Sequence, residues 1–176
     1  MADDEEVSTN CPMCHADGLI LAEDERDIPY FGKVYIFSMT CNNCKFHKGD
    51  IECVEQREPT RYSIEVSGEE DMKIRVVRSS NGLIKIPHIM SIEPGEGAQG
   101  YVTNVEGVLR RMKAQLEMMK DDPDDEEVAN KARNMLKKLN RVMFGEEKVR
   151  LIIEDPTGNS AIVSDKAVVE KLKVKK

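Results

Sequence analysis

The chain has 176 residues, which is enough for one domain of average size or a small module joined to a moderate one. Charged residues make up 34% of the sequence and aromatic residues only 5%, which excludes a large aromatic-rich core. The net charge of -7 arises from acidic runs at residues 3–6 and 121–127. Because we find neither a secretory signal pattern nor an apolar run of ~20 residues, we expect a cytoplasmic protein without a membrane segment.

Four of the five cysteines form two Cys-x-x-Cys pairs, and these are Cys11, Cys14, Cys41 and Cys44. Four thiolates complete a tetrahedral structural zinc site and leave no open position for a substrate. Rubredoxin-like iron and a redox-active dithiol are the alternatives, although neither pair precedes a helical pattern as a thioredoxin-like motif requires. We therefore predict a zinc ribbon holding one structural Zn²⁺, with His15 and His47 as bystanders and Cys53 as a small buried apolar residue.

The segment 28–40 has the strongest strand signal in the chain, because it is rich in aromatic and β-branched residues. Taken as one strand, it is apolar on both faces. A ribbon of this size buries only one face by itself. We therefore expect the following domain or a partner to cover the other face.

After residue 59 the pattern changes to short alternating strands. Asn81-Gly82 between two apolar runs predicts a two-residue β-hairpin. The segment 94–100 contains a Gly-x-Gly-x-x-Gly spacing, but no βαβ unit surrounds it, so we expect a flexible connection and no dinucleotide site.

Two helices are predicted between the strands. Thr103 and Glu106 have the spacing of a capping box, and an apolar stripe runs from Val105 to Met119. A second stripe predicts a helix over residues 125–143, which Gly145 would end. The sequence thus predicts a helical hairpin inserted into a β domain.

Enzymatic and nucleic-acid roles have little support in the sequence. The three histidines are scattered and no nucleophile–base pair is visible, so we predict no catalytic residues and no enzyme activity. Between Cys11 and Cys53 there are seven acidic and four basic side chains, which is a poor surface for phosphates. Lys45, His47 and Lys48 form the only local basic spot there, and an RNA- or ribosome-associated ribbon that uses Lys45, Lys48 and the lysine tail is the alternative function.

Several stretches, in order, resemble the ZPR-type zinc-finger proteins of eukaryotes and archaea. The matching motifs are Cys-Pro-x-Cys at 11–14, Ile-Pro-Tyr-Phe at 28–31, Val-x-Arg-Ser at 76–79, Ile-Lys-Ile-Pro at 84–87, Gly-Tyr-x-Thr-x-Val-Glu-Gly at 100–107 and Asp-Pro-x-Gly-Asn-Ser at 155–160. Lys45 stands where the family usually has glycine. Eukaryotic members carry two zinc-finger-plus-domain units, so this chain resembles the single-unit archaeal form.

The resemblance implies a mainly β fold with a helical insertion. Its parts would be an acidic flexible N-terminus at 1–10, a four-cysteine zinc ribbon at 11–55 and a double-stranded β-helix (jelly-roll) domain at 56–170. The jelly roll would carry an α-helical hairpin at about 104–144, and a basic tail would follow at 171–176.

The resemblance also implies a protein-interaction or chaperone role toward translation elongation factor 1-alpha, with no nucleic acid or membrane involved. It makes three stretches candidates for a partner or interdomain surface: the doubly apolar strand of the ribbon, the motif at 106–107 and the motif at 155–160. The residues of this surface are Tyr30, Phe31, Glu106, Asp155, Gly158, Asn159 and Ser160.

Overall fold

The structure is a computed structural model that describes residues 10–29, 31–55, 57–121 and 125–173. The predicted acidic N-terminus lies outside these ranges apart from its last residue, as do Tyr30 and the last three residues of the predicted basic tail. Within the described ranges no helix is both long and apolar enough to cross a membrane.

The N-terminal part is an antiparallel three-stranded sheet in the order β1-β2-β3. Its strands are β1 (Leu19–Ile28), β2 (Gly32–Cys41) and β3 (His47–Cys53). The two cysteine pairs lie just before β1 and between β2 and β3, so the sheet brings both pairs to one end.

The single strand predicted over residues 28–40 is wrong at its beginning. The chain reverses between Ile28 and Gly32, which face each other in the register of β1 and β2. Phe31 N donates to Ile28 O at 2.9 Å, and Gly32 has a φ of 102°, a left-handed value that favours glycine. Pro29 lies in this turn, where the missing N–H costs no ladder hydrogen bond.

The remaining strands form a second region, which we call the β domain. They are β4 (Thr60–Val66), β5 (Arg75–Arg78), β6 (Leu83–Ile86), β7 (Met90–Ile92), β8 (Tyr101–Asn104), β9 (Val149–Asp155), β10 (Ala161–Val163) and β11 (Val168–Lys171). A five-stranded sheet has the order β11-β4-β9-β6-β7, and a three-stranded sheet has the order β10-β5-β8. All pairs are antiparallel, and β11 is a strand that the sequence did not predict.

The hairpin predicted at Asn81-Gly82 is wrong, because β5 and β6 belong to different sheets. Neither residue has a positive φ, so the turn is not the type I′ turn that joins hairpin strands. Arg78 Nε donates to Gly82 O at 2.8 Å and fixes the turn from the end of β5. The segment therefore carries the chain from one sheet to the other.

In the ranges that the structure describes, three helices interrupt these strands: the short α1 (Glu69–Met72), and the pair α2 (Val105–Lys120) and α3 (Glu126–Met143). The predicted capping box is wrong, because Thr103 remains in β8. Asn104 caps α2 instead, and its side chain accepts a hydrogen bond from the N–H of Gly107, the third residue of the helix.

The main core lies between the two sheets of the β domain and the pair α2 and α3. The helices contribute Val105, Val108, Leu109, Met112, Leu116, Ala132, Leu136, Leu139 and Val142, and the strands contribute Ile64, Val66, Val76, Ile84, Ile86, Leu151, Ile153 and Ile162. The stripe predicted for α2 is confirmed except at Met119, which is 41% exposed. The predicted mainly β class with a helical insertion is confirmed.

Candidate metal centre and the junction behind it

The two cysteine pairs lie in turns of the same construction. His15 N donates to Cys11 O at 2.8 Å, and Lys45 N donates to Cys41 O at 3.1 Å. In each turn the amide of the first cysteine also donates to the carbonyl five residues later, at 3.0 and 2.8 Å. His15 and Lys45 have φ values of 58° and 63°, so each turn requires one left-handed residue directly after its second cysteine.

The four sulfur atoms form one compact cluster. The Sγ atoms of Cys11 and Cys44 are 3.7 Å apart, as are those of Cys14 and Cys41, and all four lie within 4.8 Å of one another. A tetrahedral zinc site with Zn–S bonds of about 2.3 Å has S···S edges of about 3.8 Å, whereas a disulfide needs about 2.05 Å. The cluster is therefore suited to one zinc ion held by four sulfurs.

The electrostatics of the cluster also favour a dication. The Asn43 side chain donates to Cys14 Sγ and is the main cause that lowers the pKa of Cys14 to about 6. The Cys44 amide is the main cause that lowers the pKa of Cys41. At Cys44 the Phe46 amide lowers the pKa, but burial and the other three thiols outweigh it and raise the pKa to about 12. Without a cation the four sulfurs cannot all carry charge, whereas Zn²⁺ binds them as thiolates.

The apolar surroundings of the cluster are small. Among the described residues the buried members are Cys11, Leu19 and Cys41, with Leu21, Met39 and Phe46 packed partly against them. Two of the three buried residues are thus predicted ligands. We infer that the metal, rather than apolar burial, holds this end of the sheet together.

Both nearby histidines stay outside the four-cysteine cluster. His47 Nδ1 is 2.9 Å from Thr40 Oγ1, so this ring nitrogen already has a hydrogen-bond partner. His15 is exposed, and its position is explained by the left-handed backbone of the turn.

Two family models match the chain: the ZPR1 zinc-finger domain over residues 5–59 and the ZPR1 jelly-roll domain over residues 70–176. The chain belongs to the ZPR1 family. The predicted resemblance, the zinc ribbon with a jelly-roll domain and the single zinc ion are confirmed. The exact boundary between the two domains, placed near residue 56 by the sequence, stays a prediction.

Relatives of this ZPR1-family chain occur in archaea and eukaryotes. A ZPR1-like protein of Methanocaldococcus jannaschii is 38% identical over 158 residues, covering 89% of this chain and 80% of the relative. A ZPR1-like protein of Pyrococcus horikoshii is 38% identical over 168 residues, covering 93% and 75%. The zinc finger chaperone zpr1 of Schizosaccharomyces pombe is 27% identical over 165 residues, and the match covers only 35% of that longer protein.

The inner face of the ZPR1 ribbon packs against the jelly roll. Ile28, Phe31, Val34 and Ile51 form one buried cluster with Val77 and Ala161 of the jelly roll. Phe31 is 6% exposed, its ring lies 4.2 Å from the Arg57 guanidinium, and its carbonyl accepts a hydrogen bond from that guanidinium. Cys53 lies partly buried against the same cluster, and burial raises the pKa of its thiol.

The segment 155–160 contains a buried carboxylate that gathers hydroxyl groups. Asp155 is completely buried and accepts from Ser79 Oγ at 2.7 Å, from Ser160 Oγ at 2.5 Å and from Thr157 N at 2.7 Å. Ser160 is also completely buried. These two predicted surface residues therefore fix the turn between β9 and β10 to the end of β5 and present no area to a partner.

The middle of the same segment contacts the chain that leaves the ribbon. Asn159 Oδ1 accepts from Cys53 N at 3.2 Å. Gly158 has a φ of 73°, and a Cβ there would collide with Glu58 O and lie 2.7 Å from Arg57 Cβ. Residues 155–160 thus belong to the junction between ribbon and jelly roll.

The glycine-rich loop, expected to be a flexible connection, also joins this junction. Gly100 N donates to Gly49 O at 3.0 Å, and a Cβ at Gly100 would lie 2.8 Å from Ile51 N. Next to it, Asp50 Oδ1 accepts from Ser80 N at 3.0 Å. The expectation is wrong at Gly100, where close approach to strand β3 requires glycine.

Glu106, another predicted surface residue, lies in the first turn of α2 with its side chain 41% exposed. It pairs with Arg110 at 2.7 Å, one helical turn away. The neighbouring Gly107 has a packing role, because a Cβ there would meet Thr103 Oγ1.

The outer face of the ribbon contains aromatic residues that the sequence prediction did not include among its partner-binding candidates. Tyr35 and Phe37 are partly exposed, with their ring centroids 6.1 Å apart. The strand register places Glu25 and Glu23 beside them on β1, and Glu52 beside Tyr35 on β3. The alternation along β2 contained this signal, but the register that brings the acidic residues alongside comes from the structure.

Proposed function

We propose that this chain is a non-enzymatic protein-binding factor with chaperone activity toward translation elongation factor 1-alpha in the cytoplasm. The name of the S. pombe relative, a zinc finger chaperone, supports a chaperone role. Four cysteines also leave the metal no open coordination position, which suits a structural rather than a catalytic ion. In this proposal Cys11, Cys14, Cys41 and Cys44 bind the ion and keep the ribbon in shape.

The observation that carries the proposal is the outer face of the ribbon. Tyr35 and Phe37 offer aromatic area, and the carboxylates of Glu23, Glu25 and Glu52 border it, with Glu25 also paired to Lys33 at 2.6 Å. Aromatic anchors within a charged rim are typical of protein interfaces. Such a face fits a partner segment that is apolar in its middle and basic at its edges.

The residues predicted for a partner surface then have two kinds of role. Phe31, Asp155, Gly158, Asn159 and Ser160 would act by holding the ribbon in its orientation on the jelly roll. Glu106, with its exposed side chain, is a candidate for direct contact. Tyr30 lies outside the described residues.

Co-purification of the tagged chain from its own cells tests the proposal. We expect elongation factor 1-alpha to be recovered with the wild-type chain and at least tenfold less with the double variant Tyr35→Ser, Phe37→Ser. The matched control is Val169→Ser, which changes an apolar residue that is 57% exposed on β11 and should leave recovery unchanged. Recovery of the elongation factor no higher than that from untagged cells would contradict the proposal. So would equal recovery with the wild-type chain and with the double variant, provided that the double variant keeps the wild-type zinc content.

No observation in the described residues favours the alternative of an RNA- or ribosome-associated ribbon. Lys45 Nζ donates a hydrogen bond to Asn42 O at 2.9 Å, and carboxylates border the outer face of the ribbon. Salt-dependent RNA binding that disappears in Lys45→Ala, Lys48→Ala would nevertheless favour that alternative over the chaperone.

A further inference from the structure

A cavity of about 430 Å³ lies on the jelly roll between the glycine-rich loop and helix α2. Its walls include Arg78, Tyr101 and Arg111 together with the backbone of Gly97 and Gly100. Among the described residues, none that lines it is acidic. The cavity thus combines two guanidinium groups with an aromatic wall, and none of the four clustered cysteines lines it.

Arg78 is fixed in place and still has donors to offer. Only 4% of the residue is exposed, and its Nε and Nη1 donate to Gly82 O at 2.8 Å and to Gln99 O at 3.1 Å. The Tyr101 hydroxyl also accepts a hydrogen bond from Arg78, which still leaves part of the five guanidinium N–H donors over. Since Arg78 lines the cavity, these remaining donors are available to a ligand there.

Arg111 brings a second positive charge to the same ring. Its guanidinium carbon lies 4.2 Å from the Tyr101 ring centroid, and that of Arg78 lies 5.5 Å from it. Burial raises the pKa of Tyr101, and the charged groups that oppose this rise are the two arginines, with no carboxylate among the causes. In the described part of the chain neither arginine forms an ion pair, so two like charges meet without a counterion.

We propose that this cavity binds a phosphomonoester. Two guanidinium groups are a better match for a dianion than for a carboxylate with its single charge. A phosphate carries a charge of about -1.5 to -2 at pH 7 and accepts hydrogen bonds from paired N–H groups. The Tyr101 ring and Ile92 would contact the organic part of the ester. The phosphate could belong to a small molecule or to a phosphorylated side chain of a partner protein, and these two sources share the same recognition chemistry.

Titration of the full-length, zinc-loaded chain tests this site. Inorganic phosphate and phenyl phosphate would be added at constant ionic strength, with benzoate as the carboxylate comparison, while the NMR signals of Tyr101 and the Arg111 side chain are followed. We expect saturable shifts with both phosphates and at least fivefold weaker binding of benzoate. The absence of a saturable shift with phosphate, or equal binding of benzoate, would overturn the proposal.

Two neighbouring arginines provide a matched pair of variants. Arg111→Gln should weaken phosphate binding at least tenfold, and because the residue is exposed the variant should fold. Arg110→Gln removes the same charge from an exposed residue that pairs with Glu106, and it should change binding less than twofold. Equal losses in both variants would indicate a general charge effect and would contradict a defined site.

The source of the phosphate is distinguished by two further probes. Tighter binding of a phosphoserine peptide than of ribose 5-phosphate would assign the site to a partner's modified side chain, and the reverse order would assign it to a small molecule. The loss of either ligand in Arg111→Gln would confirm that it occupies this cavity. The elongation-factor proposal can fail without affecting this result, since that proposal depends on the outer face of the ribbon and the cavity lies on the jelly roll.

Discussion

The ribbon and the jelly roll of this chain are stabilised by different interactions. The jelly roll has a large cluster of buried aliphatic side chains drawn from two sheets and two helices. The cysteine end of the ribbon has three buried residues among those described, and two of them are the predicted ligands Cys11 and Cys41. Apolar burial can hold the first region without help, whereas the second depends on its metal.

Between these regions lies a junction that relies on hydrogen bonds as well as packing. Asn159 accepts from the backbone of Cys53, Asp50 accepts from Ser80, and Gly100 donates to the backbone of β3. The molecule therefore has three parts that can be compared: the metal-dependent end of the ribbon, the apolar core of the jelly roll, and a polar junction that orients the ribbon on the jelly roll. Each part can be tested by a variant that affects it and leaves the other two unchanged.

The largest effect is expected for Cys41→Ser, which removes a buried predicted ligand of the metal-dependent end. Zinc-finger peptides gain ~10–16 kcal/mol of apparent folding free energy from the metal, so zinc loss should unfold the cysteine end. Elemental analysis should give less than a tenth of the wild-type zinc, and hydrogen exchange should become fast over residues 11–46 while the jelly-roll core stays protected.

Cys53→Ser is the control for this variant, since Cys53 lies outside the cluster and should keep one zinc per chain. If the jelly-roll core of Cys41→Ser also lost its protection from hydrogen exchange, the two regions would fold as one unit. The conclusion that the ribbon end and the jelly roll are stabilised separately would then be wrong.

The next largest effect is expected for Leu139→Ala in the apolar core. Leu139 is completely buried on α3, and truncations of this kind destabilise by roughly 2–5 kcal/mol because they leave a cavity. Denaturant unfolding followed on the jelly roll should show this loss. At denaturant concentrations below the unfolding midpoint, the zinc content of the variant should equal that of the wild type. Loss of zinc together with the loss of stability would contradict the independence of the two regions.

Gly158→Ala tests the junction. The alanine would have to adopt a φ near 73° and its Cβ would collide with Glu58 O, so we expect a loss of roughly 1–3 kcal/mol. Amide exchange at Cys53, which bonds to the adjacent Asn159, should accelerate more than exchange in the main core. Asn159→Ala should give the same local pattern with a loss of about 1 kcal/mol. Uniform acceleration across the chain would contradict a separate junction.

A smaller effect with a defined pH dependence is expected at Asp71, which is buried in the jelly roll and pairs with Lys166 at 2.7 Å. The Lys166 hydrogen bond and then the Ser67 amide lower the pKa of Asp71 below its usual value of 3.8. A lowered pKa means that the stabilisation is complete above the unfolded value and is lost as the pH falls through the folded value.

Asp71→Asn should therefore cost about 1 kcal/mol near neutral pH, and the difference from wild type should shrink below about pH 4. Urea unfolding of both chains, monitored on the jelly roll at several pH values, measures this difference in the free energy of unfolding. Acid also releases zinc from the ribbon, but it does so in both chains, so their difference reports on Asp71. A difference that stays constant down to pH 2 would contradict this assignment.

The features that the sequence could predict depend on spacing. Two Cys-x-x-Cys pairs specify four ligands, and the helical stripes specify α2 and α3 because their period is independent of the rest of the fold. The need for a second surface on the ribbon also followed from pattern, and the jelly roll provides it at Val77 and Ala161. The jelly-roll fold itself came from the family resemblance.

The features that the sequence could not predict depend on tertiary context. Asn81-Gly82 has hairpin chemistry, but contacts with Arg78 hold it as a crossover between sheets. Ile28 to Phe31 has strand composition, yet Pro29 and the left-handed Gly32 make it a turn. The cavity between Arg78 and Arg111 unites residues from a strand, a loop and a helix, so no local pattern could reveal it.

The smallest effect is expected within the metal-dependent end itself, at Lys45. Its φ of 63° is left-handed, and a non-glycine residue in this region costs roughly 1 kcal/mol relative to glycine. The ZPR-type pattern usually has glycine at this position. Lys45→Gly should therefore stabilise the second cysteine turn by about 0.5–1 kcal/mol, although it gives up the Lys45 hydrogen bond to Asn42 O.

Competition with a zinc chelator measures this gain, because a turn that is already in its binding conformation raises the affinity of the site. The zinc affinity of Lys45→Gly should rise two- to fivefold, while urea unfolding of the jelly roll stays the same. Lys48→Gly is the control: it changes a lysine on β3 without a positive φ, and it should lower the affinity or leave it unchanged. A gain in Lys48→Gly equal to that in Lys45→Gly would assign the effect to charge, and the turn would then be unstrained.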